Sequence, residues 1–344
     1  MVIDLKYNNA QLKSLISGKI SQNIHSIDEL YVLRLIQDWI SDKDSFDFHT
    51  SGSSGTRKTI ALSRAQLLYS AKTTLSFLDP EHKFSSSLLC INPRYIGGTM
   101  VVIRALIGNM KLHIAPTTST PRINEEIDLV SMVPLQVKSL IKDDQKVLQN
   151  INTLVIGGAA ISEEELSILK EIENLRAYTS YGMTETSSHI ALRNIKENNA
   201  FLLLGDIHAE IVDDKLCLKG TVTNHKTVQT NDVIEFVEPR AFLFKGRLDN
   251  VINSGGYKVF PEELESILSK FINIPFFISG VADDRLGEKV VLFAETNNDF
   301  KIEPHYKKLL HPYQRPRNVY LTGQFEYTET GKINRTKTLK KLGF

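Results

Sequence analysis

The feature that most restricts this chain is an alternation between residues 63 and 180. Short apolar runs of strand length are separated there by stretches with helical periodicity. Ser87–Asn92 (SLLCIN), Lys111–Ala115 (KLHIA), Thr153–Gly158 (TLVIGG) and Leu175–Ser180 (LRAYTS) are the runs. Between them, helices are expected from Ser63 to about Leu78, after Gly98, after Pro134 and after Ser162. Ser63 with Gln66 and Ser162 with Glu165 have the spacing of capping boxes, as do Ser26 and Glu29 ahead of Leu30, Leu33, Ile36 and Ile40. Strand, helix, strand at this pitch predicts βαβ units around a buried parallel sheet.

Near residue 200 the texture changes. HAEIV, KLCLK, DVIEFV and FLFKG follow one another closely and predict a small, antiparallel, barrel-like sheet. From Asp249 the pattern resets: a Gly-rich turn, a helix after Pro261, strands near 275–281 and 289–295, a helix near 303–311 and a Lys-rich tail. The expected fold class is α/β, with a large N-terminal domain over residues 1–248 and a small mobile α+β domain over 249–344.

With 41 Lys+Arg against 40 Asp+Glu the chain is formally +1, which argues against a nucleic-acid partner. The balance of 42% hydrophobic and 24% charged residues is that of a folded protein. Arg94 and Arg104 interrupt the most apolar stretch, so no membrane span is expected, and the first residues lack the plan of a signal peptide. Cys90 and Cys217 stand far apart, so neither a disulfide framework nor a zinc site is expected, and the cytoplasm is the simplest location.

Four polar segments carry the chemistry. Thr50-Ser51-Gly52-Ser53-Ser54-Gly55-Thr56-Arg57-Lys58 combines two glycines, hydroxyls, exposed N–H groups and a lysine, a set suited to phosphate oxygens. It lacks Walker A spacing, and by composition alone a flexible linker explains it equally well. Tyr181-Gly182-Met183-Thr184-Glu185 follows a strand, where open α/β sheets bind ligands. Tyr181 can stack on a base, Thr184 can bond phosphate and Glu185 is a hard oxygen ligand for Mg²⁺. A polar turn is its plainer reading. Arg247 and Asp249 precede the Gly255-Gly256 turn and Pro261, which also fits a linker followed by a hairpin. Thr328-Glu-Thr-Gly-Lys332 presents a lysine that, by itself, reads as a solvated charge.

In content and order these four segments, from Thr50 to Arg335, resemble the adenylate-forming superfamily of acyl-CoA synthetases, adenylation domains and luciferases. The resemblance implies a phosphate loop at Thr50–Lys58, an adenine and Mg·ATP segment at Tyr181–Glu185, and a backbone turn beside adenine and acyl group at Gly157-Gly158-Ala159. It implies further that Asp232 holds the ribose, Arg247 contacts nucleotide, Asp249 is the hinge and Lys332 is the adenylation lysine. Gly255 and Gly256 would line the passage for CoA. ATP, Mg²⁺ and CoA are the implied cofactors and co-substrates, with a small carboxylic acid as the partner.

Arg57 and Asn231 replace the family's usual proline and glycine, and Pro93-Arg-Tyr-Ile-Gly-Gly98 lacks the usual histidine. The phosphate loop starts near residue 50, far earlier than in most members, so a shortened N-terminal region is expected. With Ser131–Gln136 and Thr184–Ile190, this most resembles the short o-succinylbenzoate–CoA ligases of menaquinone synthesis. Arg94, Arg104, Ser188 and His189 are candidates for a second substrate carboxylate, although a surface or ion-paired Arg104 is the favoured reading. Alternatives are a ligase for another aryl or short-chain acid, an enzyme loading a carrier protein, and an inactive nucleotide-binding scaffold.

Overall fold

The computed structural model describes residues 1–22, 26–51, 57–197, 199–300, 304–328 and 333–344. Among these residues, a ten-stranded sheet is built around parallel strands in the order Lys111–Ile114, Ser86–Leu89, Ile127–Met132, Ile151–Ile156 and Arg176–Met183. Four of these match the expected runs. Ile127–Met132 was not anticipated, because its residues run directly into the helix that starts at Pro134.

The pleat sorts apolar side chains to the two faces. Leu89, Leu129, Val155 and Tyr178 join a core with the helices Ile27–Ile40, Arg64–Leu78 and Ile96–Ile107. Leu88, Val130, Leu154, Ile156 and Ala177 join a second core with Pro134–Asp144 and Glu163–Lys170. Burial on both faces is why these strands read as continuous apolar runs. The boxes at Ser63/Gln66 and Ser162/Glu165 close in both directions. Ser26 caps only one way: its hydroxyl accepts from the Glu29 amide, while the Glu29 carboxylate lies 3.4 Å from the chain's amino terminus.

Beyond Arg176–Met183 the sheet turns antiparallel through Ser188–Asn194, Phe201–Leu203, Ala241–Arg247 and Asp232–Glu238. DVIEFV and FLFKG thus extend the large sheet, while His208–Val212, Lys215–Lys219 and Val228–Gln229 form a three-stranded sheet. Leu216, Leu218, Ile234 and Phe242 share one core, so the two sheets wrap a common interior.

The last part has its own sheet, with Gly287–Glu295 flanked by Phe276–Asp283, Ile252–Ser254 and the parallel strand Asn318–Thr322. Helix Pro261–Leu268 covers Ile278, Val290 and Leu292, while Leu339 and Leu342 cover Phe277, Val291 and Phe293. The helix expected near 303–311 is a short 3₁₀ turn, Pro304–Lys308, and the Lys-rich tail forms the helix Arg335–Lys341. No helix among the described residues is long and apolar enough to cross a membrane.

Candidate active site

The Ser/Gly run is the tip of a β-hairpin: Thr50 pairs with Lys58 and Ser51 with Arg57, so strands rather than helices bracket it directly. Residues 52–56, including Gly52, Ser53, Ser54 and Gly55, lie outside the described residues. The strand Arg57–Ser63 packs against the 3₁₀ turn Thr184–Thr186, which sets the stem of this hairpin beside Thr184 and Glu185.

That turn is held by Thr186, whose hydroxyl accepts from the Met183 amide and sits 2.8 Å from the Ser188 carbonyl. Ser187 and Ser188 have φ of 55° and 88°, so two consecutive left-handed residues throw the chain back into the next strand. Gly182 is required here, because a Cβ would come 2.2 Å from the Ser188 carbonyl oxygen. The neighbouring Gly157–Ala159 turn leaves its strand at the same sheet edge. The Gly157 amide donates to the Met132 carbonyl, and a Cβ on Gly157 would meet the Ser180 hydroxyl at 2.5 Å.

Tyr181 closes the group. Its hydroxyl donates to Asp232 Oδ2 at 2.5 Å, and its ring meets Phe242 edge-on at 5.2 Å, with Phe201 and Phe244 near 6 Å. Burial and the Asp232 charge push the phenol's pKa far up, so it remains a donor. Asp232 is raised above the usual carboxylate range by burial, against the opposing pull of the Tyr181 hydrogen bond and of Arg247. Asp232 and Arg247 are register partners on adjacent strands, and Arg247 Nη2 lies 3.0 Å from Asp249 Oδ2. Residues distant in the chain therefore form one polar cluster at the edge of the sheet.

Residues 38–221, more than half the chain, match the family model for the AMP-binding enzyme. The chain belongs to the AMP-binding enzyme family. It is thereby an AMP-forming acid–thiol ligase in class. The 2-succinylbenzoate–CoA ligase of Staphylococcus epidermidis is 26% identical, with 84% of this chain and 68% of that one covered. An AMP-forming acyl-CoA synthetase/AMP-acid ligase II-like protein from Dyadobacter fermentans is 30% identical, with 96% and 98% covered and a TM-score of 0.63. The o-succinylbenzoate coenzyme A synthetase of Bacillus subtilis, solved with ATP and magnesium, shares the fold at a TM-score of 0.75 and 16% identity, with 98% and 83% covered.

In this AMP-binding enzyme the weaker candidates separate. Arg94 is exposed and pairs with Asp28 at 3.3 Å. Arg104 corrects the expectation of a surface or ion-paired residue: it is 2% exposed, and no carboxylate among the described residues pairs with it. Burial pulls its pKa down to about 10, so it still carries its charge at neutral pH. Its Nη2 lies 3.4 Å from His189 Nδ1, and its Nε has no hydrogen-bond partner among the described residues.

His189 is buried, and desolvation and then the Arg104 charge hold its pKa well below the ordinary value, so the ring is neutral. Nδ1 then accepts from Arg104, and Nε2–H donates to the Thr74 hydroxyl at 2.9 Å. Thr74 donates to the Ser70 carbonyl, and the Ser70 hydroxyl to the Ser187 carbonyl. Ser188 takes part through its carbonyl, which accepts from Thr186. Ser70 and Thr74 were missed, although a signal existed. Gln66, Ser70 and Thr74 repeat every four residues on the buried face of one helix, a polar stripe where an apolar one is expected.

Lys332 lies outside the described residues; Tyr327 and Ile333, on either side of it in the sequence, form an isolated antiparallel bridge. Gly255 and Gly256 form the tip of the hairpin Ile252–Ser254/Tyr257–Val259, with φ of 59° and 84°.

Proposed function

We propose that this enzyme is an ATP-dependent carboxylate–CoA ligase acting through an acyl-adenylate, with o-succinylbenzoate as its acid in menaquinone synthesis. The observation carrying the choice of acid is Arg104, a buried cation with no carboxylate paired to it among the described residues. A dicarboxylate has one carboxylate to activate and a second to satisfy that guanidinium. The names of the similar ligases from Staphylococcus and Listeria support the same acid.

In this reading the acid's carboxylate oxygen attacks the α-phosphorus of ATP and pyrophosphate departs. The CoA thiolate then attacks the acyl carbon of the mixed anhydride, and AMP departs. Two anions must meet in the first step, so preorganised positive charge and donors are needed at the reacting centre. Lys332 and the Thr50–Lys58 loop supply them, Thr184 bonds phosphate, and Asp232 with Arg247 holds the ribose end. Among the described residues no group of three or more His, Cys, Asp or Glu can hold a resident metal. Glu185 is half-buried at the Thr184–Thr186 turn, and its single carboxylate fits Mg²⁺ that arrives on the nucleotide's phosphates. The ion there would neutralise phosphate charge.

Residues 249–344 act as a lid turning about Asp249 over the 1–248 unit. One setting brings Lys332 to the phosphates, and the other brings the Gly255-Gly256 face, lining the passage for CoA. The reaction belongs in the cytoplasm, where ATP and CoA are at hand and Cys90 and Cys217 stay reduced, both being buried and free. The test is an acid panel scored by AMP and thioester. o-Succinylbenzoate is expected to exceed the analogue lacking its second carboxylate by about a hundredfold or more in kcat/KM, because a buried charged site rejects the ligand that leaves it unpaired. Preference for a monocarboxylate, or transfer only to a carrier protein, overturns the reading.

A further inference from the structure

The first turn of the helix Pro261–Leu268 carries two carboxylates that reach back across the turn Leu248–Asn250. Glu263 Oε1 lies 3.0 Å from Lys245 Nζ, which Glu235 also holds at 2.8 Å. Glu262 lies over the end of the strand Ala241–Arg247, so close that a Cβ on Gly246 would come 2.4 Å from its Oε2. The same Oε2 accepts from the Arg247 amide at 3.4 Å. Its Oε1 accepts from Asn250 Nδ2 at 2.5 Å and faces Arg335 Nη2 at 3.7 Å.

Arg335 stands three residues after Lys332. Its guanidinium also bonds Glu265 at 2.7 Å and the Ile278 carbonyl at 3.2 Å, and lies over the Phe277 ring. This fixes the start of the helix Arg335–Lys341. One carboxylate therefore touches the backbone before the turn, the side chain of Asn250 within it, and Arg335 at the start of the last helix. Nothing in the family resemblance assigns Glu262 a part.

We propose that Glu262 is a positioning residue: it latches the lid to the end of the strand Ala241–Arg247 and, through Arg335, ties the seating of the helix Arg335–Lys341 to the setting of the Leu248–Asn250 turn. This rests on the reading of residues 249–344 as a lid. Glu262 travels with the lid while Gly246 and Arg247 stay behind, so a swing about Asp249 breaks the contact with the Arg247 amide. The Glu263–Lys245 pair breaks with it, whereas the Glu262–Arg335 contact rides along. The latch thus biases the population of two lid settings and takes no part in either chemical step.

Glu262→Gln keeps the shape and an acceptor for Arg247 but loses the charge facing Arg335; Glu262→Ala removes both. For each, adenylation is measured by ATP–pyrophosphate exchange and thioester formation from supplied acyl-adenylate. Lid setting is read by energy transfer between dyes on cysteines at the exposed positions Lys138 and Asn298. Glu262→Ala is expected to change the ratio of the two half-reaction rates about tenfold, the scale of one charge-assisted hydrogen bond, and to redistribute the dye distances. Glu262→Gln should change both less. Should the alanine variant fail to fold, the glutamine variant carries the test. A proportional fall of both half-reactions with unmoved dye distances overturns the proposal. Lys332→Ala in parallel separates the two readings. Equal loss of both half-reactions there defeats the lid itself and the latch with it. Selective loss of adenylation there, with a proportional fall and unmoved dye distances in Glu262→Ala, defeats the latch alone.

Discussion

Arg104→Met should make the ligand-free protein more stable while removing its response to a dicarboxylate. Arg104 is 2% exposed, and burial holds its pKa at about 10. That displacement corresponds to about 3 kcal/mol against the buried charge. Methionine keeps much of the stem's volume and removes both the charge and the orphaned Nε. Against this stands the contact to His189 Nδ1, long at 3.4 Å, whose loss leaves a buried acceptor alone at about 1–2 kcal/mol. The balance is a gain of about 1–2 kcal/mol, within the range seen when buried ionic groups give way to apolar ones. Thermal melts should show a rise of a few degrees for a chain of this size.

In the wild-type protein a dicarboxylate at a hundred times its Kd should add about 2.7 kcal/mol of apparent stability, and in the variant much less. A melt with and without o-succinylbenzoate reads both effects. A ligand-free variant melting several degrees below wild type would make Arg104 a structural hub. An undiminished ligand-induced rise in the variant would remove it from the acid site.

Lys332→Ala should lower adenylate formation by about a hundredfold or more while largely sparing thioester formation from supplied adenylate; rapid-quench assays of the two halves check it, and equal losses count against the two settings. Tyr181→Phe removes the hydroxyl 2.5 Å from Asp232, a bond that opposes the rise of the carboxyl's pKa. If an ionised Asp232 grips ribose, KM for ATP should then climb at a higher pH than in wild type as pH falls. An unshifted profile refutes that role.

Asp128 accepts from the Ser85 and Ser86 amides at 2.8 and 3.0 Å and from Asn152 Nδ2 at 2.9 Å. Burial works against its charge, but the bonds from Ser85, Asn152 and Ser86 outweigh it and hold the carboxyl below its usual pKa. Its stabilisation is therefore present above the unfolded carboxylate value and fades as pH drops through the depressed folded one. Asp128→Ala should cost about 2 kcal/mol at pH 7, and its melting deficit should shrink as pH falls below the ordinary carboxylate value and close once the depressed folded value is passed.

Much of the framework was legible because it is governed by near neighbours. The caps at Ser63/Gln66 and Ser162/Glu165 involve residues three apart, and the apolar runs of the parallel strands report burial on both faces. Ile127–Met132 escaped for the same local reason: its own pattern merges with that of the following helix. The Ser/Gly run carried no sign of the hairpin beneath it, since among the described residues Ser45–Ser51 and Arg57–Ser63 pair only with each other.

The order and content of the polar segments, and hence the family, were written in the sequence alone, because motif residues are fixed by the ligand atoms they must meet. Only the folded chain decided who stands beside whom. Tyr181 and Asp232 are 51 residues apart, and Arg104 and His189 are 85 apart. Such meetings depend on strand order and register, which no local periodicity encodes. Burial without a counter-charge among the described residues, as at Arg104, is likewise a property of the whole interior. An arginine on a helix reads the same whether its guanidinium ends in water or against a neutral imidazole, and only tertiary packing chooses between them.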